Sequence, residues 1–248
     1  MRGLTSEEIL QFWDSGESSL LPVERSLMVL AATCPELTQE QLASLSLGER
    51  DAMLLSVREK TLGSTLRCYS ECRECGGALE FAFTADHFQK PSALPPAAPR
   101  TEYRIDVEGC EIFFRLPTSA DLMDFTADMS LEAMRDRLLQ RCITGVTRNG
   151  ESVDRNCLEA SAMTALVEQM GEHDPQAETL LHVLCPQCGH TCQAVFDIGD
   201  FFWREIADQA MRLLREVHAL ASAYCWRERD ILAMSSRRRR WYMEMLGT

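Results

Sequence analysis

No apolar run in these 248 residues approaches the ~18 consecutive positions that a membrane-crossing helix needs. The opening stretch, Met1-Arg2-Gly3-Leu4-Thr5-Ser6-Glu7-Glu8, lacks the apolar core of a secretory signal. These two absences predict a cytoplasmic protein with no membrane partner. Basic residues are also short, 25 Lys and Arg against 38 Asp and Glu, for a net charge of −13. Phosphate binding depends on clustered Lys and Arg, so nucleic acid is not expected as a partner. Histidine is scarce, and the five present (His87, His173, His182, His190 and His218) are dispersed. There is no His-Glu-x-x-His, no Gly-x-Ser-x-Gly and no phosphate loop. The chain therefore reads as a non-enzyme, with no catalytic residues and no small-molecule substrate.

Cysteine, by contrast, is plentiful. Four of the eleven fall in two Cys-x-x-Cys-Gly knuckles, Cys72-Arg73-Glu74-Cys75-Gly76 and Cys185-Pro186-Gln187-Cys188-Gly189. Two thiolates on a tight turn grip one side of a tetrahedral metal, and two such turns close it with no open position for a substrate. The sequels match as well. With Cys72 laid on Cys185, Cys75 falls on Cys188, Gly76 on Gly189, Phe83 on Phe196 and Phe88 on Phe201. The spacing thus predicts structural zinc (Zn2+) held by Cys72, Cys75, Cys185 and Cys188, in a ribbon assembled from two distant halves. The interval between the halves is longer than in an ordinary ribbon, so the intervening segment reads as an insertion. A local set of Cys185, Cys188, His190 and Cys192 is a second possibility, but it leaves the first knuckle idle. The seven cysteines outside the knuckles (Cys34, Cys68, Cys110, Cys142, Cys157, Cys192 and Cys225) are scattered and read as small apolar core residues.

Around the knuckles the pattern is mostly helical. Residues 1–66 carry four helix signals: one from Thr5 or Ser6 to Gly16, one opening at Pro22 and stopping at Cys34-Pro35, one capped by Thr38, and one running from Gly48-Glu49-Arg50-Asp51 to Gly63. Residues 67–90 form the first ribbon half, and 91–100, with four of the nine prolines, an extended linker. Residues 101–180 form the insertion. It starts with a hairpin, Tyr103–Val107 returning through Cys110–Leu116 about a Glu108-Gly109 turn. A helix follows from Thr118 or Ser119 to about Ile143, then another from Leu158 to Met170, and a short helical stretch at Asp174-Pro175. Residues 181–199 form the second ribbon half. Residues 200–248 are helical, with a long amphipathic helix from Phe201, a short one at 227–234, and a last one capped by Ser235 or Ser236. The fold class expected is α+β: a central zinc ribbon, a hairpin-and-helix insertion, and helical segments at both ends. The run Arg237-Arg238-Arg239-Arg240 beside Trp241-Tyr242 reads first as a solvated helical face with some arginines paired to carboxylates. Its functional reading is a docking face for an acidic protein.

Several stretches resemble a known family. Cys185-Pro186-Gln187-Cys188-Gly189-His190 leads to Phe196-Asp197-Ile198 and Phe201-Phe202-Trp203. Leu213-Leu214-Arg215-Glu216-Val217-His218, Leu220-Ala221 and Tyr224-Cys225-Trp226 follow, with Ile231-Leu232, Met234 and Arg237-Arg238-Arg239-Arg240-Trp241-Tyr242 at the end. Upstream, Gly48-Glu49-Arg50-Asp51-Ala52-Met53-Leu54-Leu55 and Phe114-Arg115-Leu116-Pro117-Thr118-Ser119-Ala120-Asp121-Leu122 belong to the same likeness. Together these are similar to the baseplate proteins of T-even-type contractile phages and phage-like injection systems. The resemblance implies a non-enzymatic structural or assembly (chaperone-like) protein of the baseplate or its hub. Its partners would be other baseplate or hub proteins, met in the bacterial cytoplasm and in some cases retained in the particle. Zinc rests on the spacing, not on the family. The reading from another class is a zinc-ribbon nucleic-acid-binding regulator, which would need a basic face including Arg237 to Arg240.

Overall fold

The computed structural model describes residues 1–16, 20–84, 101–126, 128–155 and 158–247. His87 and Phe88, the proline-rich stretch 91–100 and Cys157 lie outside them. The fold is α+β. Four helices open the chain: α1 (Ser6–Gly16), α2 (Pro22–Thr33), α3 (Gln39–Ser44) and α4 (Leu47–Leu62). Their starts follow from side-chain caps. Thr38 accepts from the Gln41 N–H and Ser46 from the Glu49 N–H, and in each case the third-position side chain returns the bond. Pro22 sits at the first turn of α2, where its missing N–H costs nothing.

Hairpin β1 (Thr65–Glu71) and β2 (Ala78–Thr84) follows, then the four-stranded sheet of β3 (Tyr103–Val107), β4 (Cys110–Phe114), β5 (Ile143–Arg148) and β6 (Glu151–Ser152), in that order. Helices α5 (Ser119–Leu122), α6 (Leu131–Cys142) and α7 (Ala160–His173) accompany the sheet. A second hairpin, β7 (Thr179–Leu184) and β8 (Thr191–Phe196), runs straight into α8 (Ile198–Tyr224), and α9 (Glu228–Leu232) and α10 (Ser236–Met245) close the chain. Among the described residues no helix is long and apolar enough to cross a membrane.

Two expectations are corrected. The single helix from Thr118 to Ile143 is two short helices, because Ser130 caps a fresh start by accepting from the Ala133 N–H. Its predicted end is instead strand β5, where β-branched Ile143, Val146 and Thr147 pair with β4. The helical stretch at Asp174-Pro175 is a turn, closed by the Ala177 N–H on the Asp174 carbonyl, before β7 begins.

The apolar interior falls into separate clusters. The largest joins α1, α2 and α4 to the first half of α8 through Ile198, Phe202, Ile206, Ala210 and Leu213. A second lies between the four-stranded sheet, α6 and α7, around Ile112, Phe114 and Leu166. A third, at the far end of α8, packs Leu220 and Ile231 with Tyr224, Trp226 and Tyr242. Helix α8, 27 residues and about 40 Å long, thus links the first and third through one buried stripe from Ile198 to Leu220. Buried Arg58 fastens α4 to α8: its Nε and Nη2 donate to Glu205 at 2.8 and 2.6 Å, while Nη1 and Nη2 donate to the Gly63 and Thr65 carbonyls.

Candidate metal centre

Each knuckle is the turn of a hairpin. Strand β1 ends at Glu71, paired with Ala78, and strand β7 at Leu184, paired with Thr191, which leaves two loops of the same build. The Cys72 N–H donates to the Gly77 carbonyl and the Gly76 N–H returns to the Cys72 carbonyl, at 2.9 and 2.8 Å. In the second loop the Cys185 N–H donates to the His190 carbonyl and the Gly189 N–H to the Cys185 carbonyl, at 2.8 and 2.9 Å. Both turns need a residue in the left-handed region, and glycine supplies it at Gly76 (φ 69°) and Gly189 (φ 72°). The matched aromatics meet as well, Phe83 and Phe196 packing edge to face with ring centres 5.3 Å apart.

The hairpins bring Cys72, Cys75, Cys185 and Cys188 together, every sulfur within 4.8 Å of the other three. Cys72 Sγ lies 3.6 Å from Cys188 Sγ, and Cys75 Sγ 3.7 Å from Cys185 Sγ. Four thiolates about 2.3 Å from a tetrahedral ion would stand about 3.8 Å apart, so the cluster has the size of such a site. Cys72 and Cys185 are buried, while Cys75 and Cys188 are exposed. His190 is exposed at the end of its knuckle, and its carbonyl is what the fold uses. Cys192 on β8, missed as a neighbour of the first knuckle, places its sulfur 3.6 Å from Cys72. No spacing rule could have found that contact, which arises only when the hairpins fold face to face.

The electrostatics favour a cation. The Cys75 N–H, then the Glu74 N–H and the neighbouring thiols, pull the Cys72 thiol down to about 6 against the cost of its burial. At Cys188 the His190 N–H acts in the same sense, but burial and the thiols of Cys185, Cys75 and Cys72 outweigh it and push the group up to about 12. Four thiols this close cannot all ionise alone. A divalent ion held by Cys72, Cys75, Cys185 and Cys188 would reverse the balance, favouring all four as thiolates.

The remaining cysteines divide. Cys34, Cys110 and Cys142 are buried in the apolar clusters. Cys225 is exposed and caps α8 in the left-handed conformation at φ 54°. Within the arginine run, Arg239 is buried and structural: its Nε donates to Glu216 at 2.7 Å and its Nη1 to the Met234 carbonyl at 2.5 Å.

A family model described as T4 bacteriophage base plate protein matches residues 23–203. The chain belongs to that family. The matched span holds both knuckles, the four-stranded sheet and the start of α8. Comparison with curated proteins and with solved structures finds no match.

Proposed function

We propose that the chain is a zinc-stabilised structural or assembly protein of a contractile-tail baseplate or hub, acting through contacts with other baseplate proteins. The family match over residues 23–203 carries the baseplate role. The four thiols at tetrahedral spacing carry the zinc. A closed set of four thiolates suits a structural ion: it leaves no position for water or substrate and polarises nothing. The ion would join two hairpins whose ligands stand 110 positions apart, making a ribbon between the N-terminal helices and the insertion. The parts proposed are the helical segment 1–66, ribbon halves at 67–90 and 181–199, the linker 91–100, the insertion 101–180 and the helical segment 200–248. Chaperone-like action during assembly is the narrower form of the reading.

The test has two arms. Purified protein should hold about one zinc per chain, and the Cys72→Ser, Cys75→Ser double variant should lose it. In the parent tail gene cluster, disruption of this gene should abolish complete baseplates, and only a metal-competent copy should restore them. Mass spectrometry of finished particles then separates a permanent component from an assembly factor. Normal baseplates without the gene would overturn the role, and metal-free wild type would overturn the ribbon.

A further inference from the structure

The four-ligand reading leaves a fifth sulfur unused. Cys192 Sγ stands 3.6 Å from Cys72 Sγ, the same separation as between Cys72 and the proposed ligand Cys188. It lies on β8 opposite Val183, buried with Cys72, Cys185 and Leu79. Laying Cys72 on Cys185 brings Leu79 onto Cys192, so the first hairpin fills this place with leucine and the second with a thiol. The five sulfurs therefore form two layers. Cys72, Cys185 and Cys192 are interior, while Cys75 and Cys188 face solvent, open to alkylation and to competing chelators.

We infer that Cys192 is a reserve metal ligand, which closes the tetrahedron with Cys72, Cys75 and Cys185 when Cys188 is lost. The inference rests on the zinc reading above. Cys192 and Cys188 both touch Cys72, so each is a neighbour of the same retained ligand. A cysteine sulfur hangs from a single torsion, and one rotamer step moves it about 3 Å without moving the strand. Zinc has no directional d-electron preference to resist the exchange. In the step, the metal–sulfur bond to Cys188 breaks, the Cys192 thiol gives its proton to water, and a metal–sulfur bond to Cys192 forms. Nothing is oxidised or reduced.

The experiment measures zinc per chain and resistance to a competing chelator in full-length protein: wild type, Cys192→Ser, Cys188→Ser, and the Cys188→Ser, Cys192→Ser double variant. Cys192→Ser and Cys188→Ser are each expected to hold zinc near the wild-type level, and the double variant to bind at least about tenfold more weakly. The cobalt(II) form of Cys188→Ser should keep the absorption of a four-sulfur site. Zinc lost from Cys188→Ser as readily as from the double variant overturns the inference, as does zinc kept by the double variant. Failure of Cys188→Ser to fold counts against it too, since a reserve ligand ought to keep the site closed. Limited alkylation of wild type supplies an independent check. By native mass spectrometry, chains modified at Cys188 should keep their metal, and should lose it when Cys192 is serine. Metal-free wild type is a different result, for it removes the zinc reading itself.

Discussion

Residues set the pH response. The Arg2 guanidinium and the Thr5 N–H and hydroxyl hold the Glu8 carboxyl down at about 2, so its contribution is present above the usual carboxylate range and is lost as pH falls toward 2. Asp51 has the opposite sign. Burial pushes its carboxyl up to about 6 from 3.8, although the Arg50 guanidinium sits 2.7 Å away. The folded state therefore binds a proton that the unfolded chain has released, and stability falls by up to about 3 kcal/mol as pH rises from about 4 to about 7. Denaturant titrations across that range should show the slope in wild type and its absence in Asp51→Asn. Buried Arg58 serves three partners at once. Arg58→Ala leaves Glu205 and two carbonyls without their donor and should cost about 3 kcal/mol in the same assay. The sequence marks neither role, because Arg58 looks like any charge on a helix until α8 comes to lie over it.

Elements carry the couplings between clusters. The insertion docks on the N-terminus of α4: the Gly48 N–H donates to Asp174 Oδ2 at 2.9 Å, and the Leu47 N–H to the Pro117 carbonyl at 3.1 Å. A Cβ at Gly48 would stand 2.0 Å from Asp174 Oδ1 and 2.7 Å from its Cγ. Gly48→Ala should thus push Asp174 off the helix end and lower stability by about 1–3 kcal/mol, seen as a fall in thermal midpoint with metal content unchanged. Element identity was largely legible in the sequence. Caps at Thr38 and Ser235, the proline at the start of α2 and the stop at Gly63 all act where local chemistry says they should. The misreading at 118–143 has a physical cause. Apolar Leu138, Leu139 and Ile143 keep helical spacing through the junction, and only pairing with β4 turns the last of them into strand. The Gly48 contact was illegible, since its partner lies 126 positions away.

For the whole molecule, the four-cysteine cluster joins the two distant hairpins. Its four proposed ligands could be named from two Cys-x-x-Cys pairs and the matched phenylalanines, and the structure brings those four thiols together. Cys192 could be named only as a member of a local set on the second knuckle; its contact with Cys72 emerges only when the two hairpins come together. Stripping the ion with a chelator should remove a binding term on the order of 10 kcal/mol and lower the thermal midpoint steeply. Differential scanning calorimetry with and without chelator checks this, and an unchanged midpoint would remove the ion from the stability of the fold. The separation of the two knuckles also imposes an order in time. A ribosome adding ~5–20 residues per second needs roughly 5–20 s to travel the 110 positions from Cys75 to Cys185. During that interval the newborn chain exposes half a clasp, two thiols with no counterpart. Metal capture by the proposed site would therefore be a late event of synthesis, completed only after the second knuckle leaves the exit tunnel. The first pair would have to stay reduced until then.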